Sequence, residues 1–190
     1  MSRVLSQEVM VLKDERPRMG MVDLANLTDD QARVLSSAPM VNGKTLNIYR
    51  MLAHHPRLLN QVMELGSSFQ SGYLAAIDRE LVILSVASAC RSRYVFDGHV
   101  PIAAKTGLSG DQIRSIWERP SEPLLWSRHQ IGLISFISEL LSADSVDDVS
   151  LNGVAFYDDS KRMIELILLI GFYRMMAKLA NVTRIASDEC

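Results

Sequence analysis

The segment that most restricts the fold is a long, almost uniformly apolar stretch at residues 162–176. It places apolar side chains on nearly every side of a helical wheel, and its charged residues are Arg162, Glu165 and Arg174. A helix of this kind is buried on several sides, so it lies either deep in a domain or at a subunit interface. Its apolar run is far shorter than the about 20 residues that a membrane span needs. We therefore expect a helix of a protein interior and no membrane partner.

Start and stop signals divide most of the remaining chain into further helices. Capping residues, early prolines and apolar periodicity mark these segments. Their predicted starts are Thr28 or Asp29, Leu46, Pro56, Asp78, Ser109, Leu125 and Asp158-Asp159-Ser160. No alternation of polar and apolar residues indicates a strand, and no repeat of 20–50 residues is visible. The sequence predicts an all-α fold with one helical domain, residues 26–190, preceded by an N-terminal arm, residues 1–25.

Composition excludes several classes of function. The net charge of -2, with acidic and basic residues mixed along the chain, argues against nucleic acid as a partner, because such proteins carry a basic patch. A small-molecule substrate fits better. The two cysteines, Cys90 and Cys190, are too few for a disulfide framework, and the first residues lack the apolar core of a signal peptide. These features predict reduced thiols and a cytoplasmic protein.

Three polar side chains with complementary chemistry, Glu80, Ser92 and His99, follow one another in the middle of the chain. A carboxylate and an imidazole can orient or pass a proton, and a hydroxyl can donate a hydrogen bond. Ser92 and His99 are seven residues apart, so they share a face if the segment is helical. Glu80 reaches that face only if two helices pack side by side. Alternatively, Pro101 favours a helix that begins just after Asp97, which would leave Ser92 in a loop.

The order of these residues resembles the signature of the carboxymuconolactone decarboxylase and alkylhydroperoxidase-D-like (AhpD-like) superfamily. That signature has a Glu, then a Cys-x-x-Cys or Ser-x-x-Glu pair, then a His four residues later. In this chain Glu80 comes first, Ser92 and Val95 occupy the two pair positions, and His99 follows in place. Residues 162–176 resemble the closing helix of the same family, with a Glu-Leu, a Gly and a Tyr in its arrangement.

The resemblance covers roughly residues 40–182 and implies an AhpD-like helical bundle that forms homo-oligomers, often trimers or hexamers. It also implies a chemistry without a cofactor. His99 would be the general acid/base, Glu80 would orient it or share its proton, and Ser92 would donate a hydrogen bond to substrate. The implied enzyme is a lyase or isomerase that moves a proton on a small carboxylated lactone or carbonyl compound.

Residues beside the motif are candidates for substrate binding. Arg79, Arg91 or Arg93 could pair with a substrate carboxylate, because a guanidinium binds carboxylates through two hydrogen bonds. A structural salt bridge is an equally good interpretation of Arg91 and Arg93. Tyr94 and Phe96 could wall a pocket, or they could simply pack in the core.

Each catalytic candidate also has a purely structural interpretation. Glu80 in a first helical turn is stabilised by the helix dipole. His99 could hydrogen-bond a backbone carbonyl, and Ser92 could bond the local backbone, as serines near helix ends often do. A third interpretation is a non-catalytic binding or scaffold protein, because Val95 stands where the family has an acid or a thiol.

Other reactive residue types give weaker signals. A thiol-dependent, peroxidase-like enzyme would have to use Cys90, which lies two residues before the first pair position. His54 and His55 are adjacent and point about 100° apart on a helix, so with no third ligand they predict no metal site. His129 is predicted to be exposed and solvated.

Overall fold

The computed structural model of the protein describes residues 17–118 and 123–188. In chain order the elements are α1 Asp29–Leu35, β1 Met40–Val41, β2 Lys44–Thr45, α2 Asn47–Leu52, α3 Pro56–Gln70, α4 Ala76–Ala89, α5 Arg93–Thr106, α6 Gly110–Glu118, a 3₁₀ turn Pro123–Leu125, α7 Arg128–Ala143, α8 Asp148–Gly153 and α9 Ser160–Thr183. The predicted all-α class is confirmed. In the part of the chain that the structure covers, no helix is both long and apolar enough to cross a membrane.

Helix α4 is the centre of the bundle. It contacts α5, α6, α7 and α9, and ten of its 14 residues are buried. Its central run, residues 81–84, has no exposed surface at all. Each such aliphatic side chain contributes roughly 1.5–3 kcal/mol when it leaves water. Because α4 is buried along most of its length, a buried polar side chain that it carries needs a partner on a neighbouring element.

The closing helix α9 is buried along one side and exposed along the other. Leu166 and Leu169 are fully buried against the core, whereas Ile164, Ile167 and Leu168 are 59%, 46% and 54% exposed. In the isolated chain, therefore, only the inner face of α9 shows the predicted burial. The outer face is an apolar surface that a single chain leaves uncovered.

A smaller apolar cluster joins α1, α2 and α3 and includes Val22 from the segment before α1. The backbone N–H of Arg18 donates to the carbonyl of Thr183 at 2.9 Å, and that of Val22 to Arg50 at 3.4 Å. Residues 17–25 of the predicted arm thus lie against their own chain. Residues 1–16 fall outside the described residues, and the predicted boundary at residue 25 stays a prediction.

Several predicted helix starts are confirmed because their signals are local. The Thr28 side chain caps α1, Pro56 is in the first turn of α3, and the Asp159 carboxylate accepts from two backbone N–H groups of α9. Ser109 and Gln112 form the predicted reciprocal hydrogen bonds before α6, at 2.9 and 3.2 Å. These motifs act within four residues, so they can be recognised without knowing the tertiary structure.

Two predicted starts are wrong. Helix α4 begins at Ala76, so Asp78 lies in its first turn instead of capping it, and the N-cap Ala75 makes no side-chain hydrogen bond. Helix α7 begins at Arg128, where Ser127 forms a capping box, and not at Leu125, which belongs to the 3₁₀ turn. The capping preference of Asp suggested the first start, and apolar residues just before the helix suggested the second.

A short hairpin and a short helix were not predicted. Strands β1 and β2 form a hairpin around Asn42 and Gly43, whose φ angles are 50° and 73°. Asn-Gly is the preferred pair for such a turn, so this dipeptide was the signal that could have revealed the hairpin. Helix α8 has six residues and no buried side chain, and it therefore lacks the apolar face on which a prediction depends.

Candidate active site

A hydrogen bond between Glu80 and His99 is the centre of the candidate site. Glu80 is on α4 and His99 is on the adjacent α5, and Glu80 Oε2 lies 2.8 Å from His99 Nδ1. The Glu80 side chain is 1% exposed and that of His99 is 17% exposed. An ionised carboxylate can only accept, so Nδ1–H donates and Nε2 carries the lone pair of a neutral ring. Helices α4 and α5 pack side by side, which is the arrangement that Glu80 required to reach His99.

The buried charge of Glu80 is compensated by Arg79 as well as by His99. Arg79 Nε lies 3.8 Å from Glu80 Oε1, and Arg79 Nη1 donates to the carbonyl of Phe69 at 3.3 Å. A buried carboxylate is strongly destabilising unless it is paired. The Arg79 side chain is itself only 11% exposed, so its charge and that of Glu80 compensate each other inside the protein.

Tyr173 from α9 completes the surroundings of the imidazole. Its ring meets that of His99 edge-on, with 5.1 Å between centroids. Burial, and in second place the negative charge of Glu80, raises the pKa of Tyr173 well above its usual value of 10.0. Its hydroxyl therefore stays protonated at neutral pH. Tyr173 was not among the site residues predicted from the sequence. The feature that could have identified it is the Tyr that residues 162–176 share with the closing helix of the family.

Helix α5 is continuous from Arg93 and contains Pro101 in its interior. The alternative in which the helix begins just after Asp97 is therefore wrong. Proline removes the hydrogen bond to the carbonyl four residues earlier. That carbonyl belongs to Asp97, an exposed residue, so water can take the place of the missing N–H.

Ser92 is the N-cap of α5 and is fully buried, but its side chain caps nothing. Within the described residues its Oγ has no hydrogen-bond partner. The expected local bond to the backbone is therefore absent. Seven residues of helix separate Ser92 from His99 by about 10.5 Å along the axis, so the two side chains are not in contact. The predicted hydrogen bond from Ser92 to substrate remains a prediction.

The two arginines that flank Ser92 are exposed. Arg91 is in the turn between α4 and α5 with φ at 52°. Arg93 Nε donates to Asp97 at 3.0 Å, and its guanidinium lies 4.8 Å from the ring centroid of Trp117. Arg93 thus forms a structural salt bridge, with Asp97, as its alternative interpretation predicted. A role in substrate binding stays a prediction for both.

The two aromatic candidates make structural contacts. The Tyr94 hydroxyl donates to Asp188 at 2.5 Å and accepts from the backbone N–H of Ile48 at 3.0 Å. Phe96 is buried with its ring 4.8 Å from that of Trp117. None of these contacts includes Glu80 or His99, so a role for either aromatic residue in a pocket wall also stays a prediction.

A second imidazole, that of His129 on α7, is paired with another carboxylate of α4, that of Asp78. His129 Nε2 lies 2.9 Å from Asp78 Oδ2, and the ring packs against Phe156 with centroids 5.8 Å apart. The expectation that His129 is solvated is wrong, because its ring is held between the Asp78 carboxylate and the Phe156 ring. His129 Nδ1 is buried and has no hydrogen-bond partner in the described part of the chain.

Cys90 ends α4 and is only partly buried. Burial raises the pKa of its thiol, and the positive charges of Arg174 and Lys178 oppose that rise without cancelling it. Reactive cysteines have a lowered pKa. Cys190 falls outside the described residues, and within them no group of three or more His, Cys, Asp and Glu residues is arranged to hold a metal ion.

Solved structures resemble this chain, although no protein-family model and no curated protein matches its sequence. An uncharacterised peroxidase-related protein from Silicibacter sp. TM1040 aligns over 94% of this chain and 95% of its own, with a TM-score of 0.73 and 13% identity. A peroxidase-related protein with an AhpD core from Ralstonia eutropha JMP134 aligns over 91% and 93%, with a TM-score of 0.72 and 18% identity.

A third structure, from Agrobacterium tumefaciens, is a protein of unknown function described as a candidate AhpD antioxidant defence protein. It aligns over 73% of this chain and 96% of its own, with a TM-score of 0.65 and 16% identity. At such identities a likeness in structure establishes the fold and leaves the reaction open. The predicted helical bundle is confirmed on this basis, and the chain has the AhpD-like fold of these peroxidase-related proteins.

Proposed function

We propose that the protein is a cofactor-free lyase or isomerase in which His99 transfers a proton on a small carboxylated lactone or carbonyl compound. The observation that carries this proposal is the 2.8 Å hydrogen bond from the partly exposed His99 to the buried Glu80 carboxylate. An imidazole is the commonest general acid/base near neutral pH, and a carboxylate on Nδ1 fixes its tautomer.

In the proposed steps His99 Nε2 transfers the proton. In an isomerase, His99 Nε2 takes a proton from the carbon beside a carbonyl, and the electron pair moves to the carbonyl oxygen as an enolate. The imidazolium then returns a proton to a different carbon. In a decarboxylase, the bond to the carboxylate carbon breaks, CO₂ leaves, and the protonated ring delivers its proton to the resulting carbanion. Glu80 stabilises the imidazolium in both cases.

A thiol-dependent peroxidase is the first alternative, and it is favoured by the similarity in fold to two peroxidase-related proteins. The thiol itself argues against it. A peroxidatic cysteine must be a thiolate, whereas burial raises the pKa of Cys90. Cys90 also has no described contact with Glu80 or His99. Ser92 and Val95 cannot replace thiols in redox cycling.

A non-catalytic binding or scaffold protein is the second alternative. A cavity of about 810 Å³ lies between α4, α6, α7 and α9, and neither Glu80 nor His99 lines it. Ser92 is enclosed, and Val95 is 6% exposed. In this alternative the Glu80–His99 bond would only join α4 to α5.

The proposal is tested with a panel of small lactones, β-keto acids and aromatic carboxylates, followed by ¹H NMR in D₂O. Proton transfer exchanges deuterium into the position beside the carbonyl, and decarboxylation changes the spectrum of the substrate. We expect His99→Asn, which keeps a donor toward Glu80, to lower the rate at least about 100-fold, because acid/base catalysis contributes roughly 10²–10⁴. Glu80→Gln, which keeps the shape and removes the charge, should lower kcat more than it changes KM.

The matched control is His54→Asn. His54 is exposed and its ring bonds the carbonyl of Gly20 at 2.7 Å, so its loss should leave the rate unchanged. An unchanged rate in His99→Asn would refute the proposal. If no compound reacted and none raised the melting temperature of the wild-type protein, the scaffold alternative would be favoured.

A further inference from the structure

The cavity of about 810 Å³ lies on a different side of α4 from the Glu80–His99 pair. We call it the serine-lined groove and define it by Ser85, Cys90, Trp126, Ser138, Arg174 and Lys178. Ser85 is five residues after Glu80, which turns it about 140° away around α4. The groove is therefore a separate site, and its volume falls within the roughly 300–1,000 Å³ that small-molecule pockets occupy.

The walls of the groove are amphipathic. One part is apolar and is formed by Trp126, Ile134 and Leu141. Another part carries hydroxyl groups, with Ser85 on α4 and Ser138 on α7. A ligand with an apolar body could pack on the first surface and keep polar atoms near the second. Pockets of this composition bind by burying apolar area and are oriented by a few polar groups.

Two cations of α9, one helical turn apart, lie beside this surface. Arg174 and Lys178 both line the groove, and both lower the pKa of the Cys90 thiol, so their charges act at the Cys90 end. Arg174 shares its charge with the exposed Asp144 at 2.7 Å. Lys178 is exposed and has no ion pair among residues 17–118 and 123–188. The groove thus carries one positive charge without an ion pair in the part of the chain that the structure describes.

We propose that the serine-lined groove binds an amphipathic organic anion, with its carboxylate at Arg174 and Lys178 and its apolar body along Trp126 and Leu141. A carboxylate there gains charge-assisted hydrogen bonds from both cations. The competing occupant is a second copy of the chain. The charge of the groove favours the ligand, because its carboxylate pairs directly with the ammonium of Lys178.

The probe is octanoate, with 1-octanol as its uncharged counterpart. The chain has two tryptophans, so Trp117→Phe leaves Trp126 as a single reporter and keeps an aromatic ring against Phe96. We expect saturable quenching of Trp126 fluorescence by octanoate and at least tenfold weaker binding of 1-octanol. Octanoate should also slow the alkylation of Cys90 by iodoacetamide, followed by mass spectrometry of the peptide that contains it.

Two variants test the position of the ligand. Lys178→Met keeps an apolar stem without the charge and should weaken octanoate binding at least fivefold. Lys161→Met removes an exposed charge from the same helix outside the groove and should change nothing. Ser138→Leu, at an exposed position, should fill the groove and abolish binding without unfolding the protein.

Several results would overturn the proposal. It fails if Trp126 and Cys90 do not respond to octanoate, if 1-octanol binds equally well, or if Lys178→Met and Lys161→Met behave alike. It also fails if Ser138→Leu changes the molecular mass in sedimentation equilibrium, since a second copy would then occupy the groove.

Discussion

Ser92 is at a helix N-cap, where a serine hydroxyl usually accepts a hydrogen bond from the backbone, but here it makes no such bond. It is the N-cap of α5, but Oγ makes no capping bond and is fully enclosed. Replacing a capping serine with alanine usually costs about 1 kcal/mol. An unsatisfied buried hydroxyl instead costs roughly 1–3 kcal/mol of desolvation. We therefore expect Ser92→Ala to raise the free energy of unfolding by about 1 kcal/mol in urea denaturation.

The matched control is Ser127→Ala at the start of α7. Ser127 Oγ accepts from the backbone N–H of Gln130 at 3.2 Å, so its loss should lower the free energy of unfolding by about 0.5–2 kcal/mol. Equal destabilisation by both variants would contradict the enclosed, unpaired state of Ser92. A more stable Ser92→Ala protein that lost turnover would support the predicted hydrogen bond to substrate.

Helices α7 and α8 approach each other so closely that one glycine is required. A Cβ added at Gly132 would collide with the backbone carbonyl oxygen of Gly153. A backbone atom cannot move aside as a flexible side chain can, so the two helices would have to separate. We expect Gly132→Ala to lower the free energy of unfolding by about 1–3 kcal/mol, measured by thermal denaturation.

Gly98, within α5, is the control for this prediction. It has no neighbour within 4 Å of an added Cβ. Alanine there removes only the entropic cost of a helical glycine, so Gly98→Ala should stabilise the protein by about 0.5–1 kcal/mol. If Gly132→Ala were also stabilising, the close approach of α7 and α8 would be refuted.

The outer face of α9 concerns the whole molecule, because one chain leaves it uncovered. Its exposed apolar residues in the first half of the helix are Ile164, Ile167 and Leu168. Exposed apolar surface of this extent marks interaction sites. We propose that it joins copies of the chain in a trimer or hexamer. Leu168→Glu should then dissociate the oligomer, observed as a lower mass in analytical ultracentrifugation.

Val149→Glu is the matched control, since Val149 on α8 is 80% exposed and lies outside this face. It should leave the mass unchanged. A wild-type protein that sediments as a monomer at micromolar concentration would contradict the proposal. So would an oligomer that Leu168→Glu does not affect.

Signals that act over a few residues were predictable from the sequence. The caps at Thr28 and Ser109 and the proline at Pro56 depend on contacts within one turn, so their letters are sufficient. Glu80 and His99 were also selected from the letters, because their order resembles the AhpD-like signature and because a carboxylate and an imidazole can share a proton. The helical class and the candidate pair therefore required no coordinates.

Contacts between helices could not be predicted in this way. That Glu80 reaches His99, that Asp78 holds His129 and that Ser92 is enclosed all depend on how α4 packs against its neighbours. Such packing is decided by shape and volume over many side chains that are distant in the chain. The same applies to the serine-lined groove, whose walls come from four helices. A sequence pattern records which face of a helix is apolar, but not which helix will cover it.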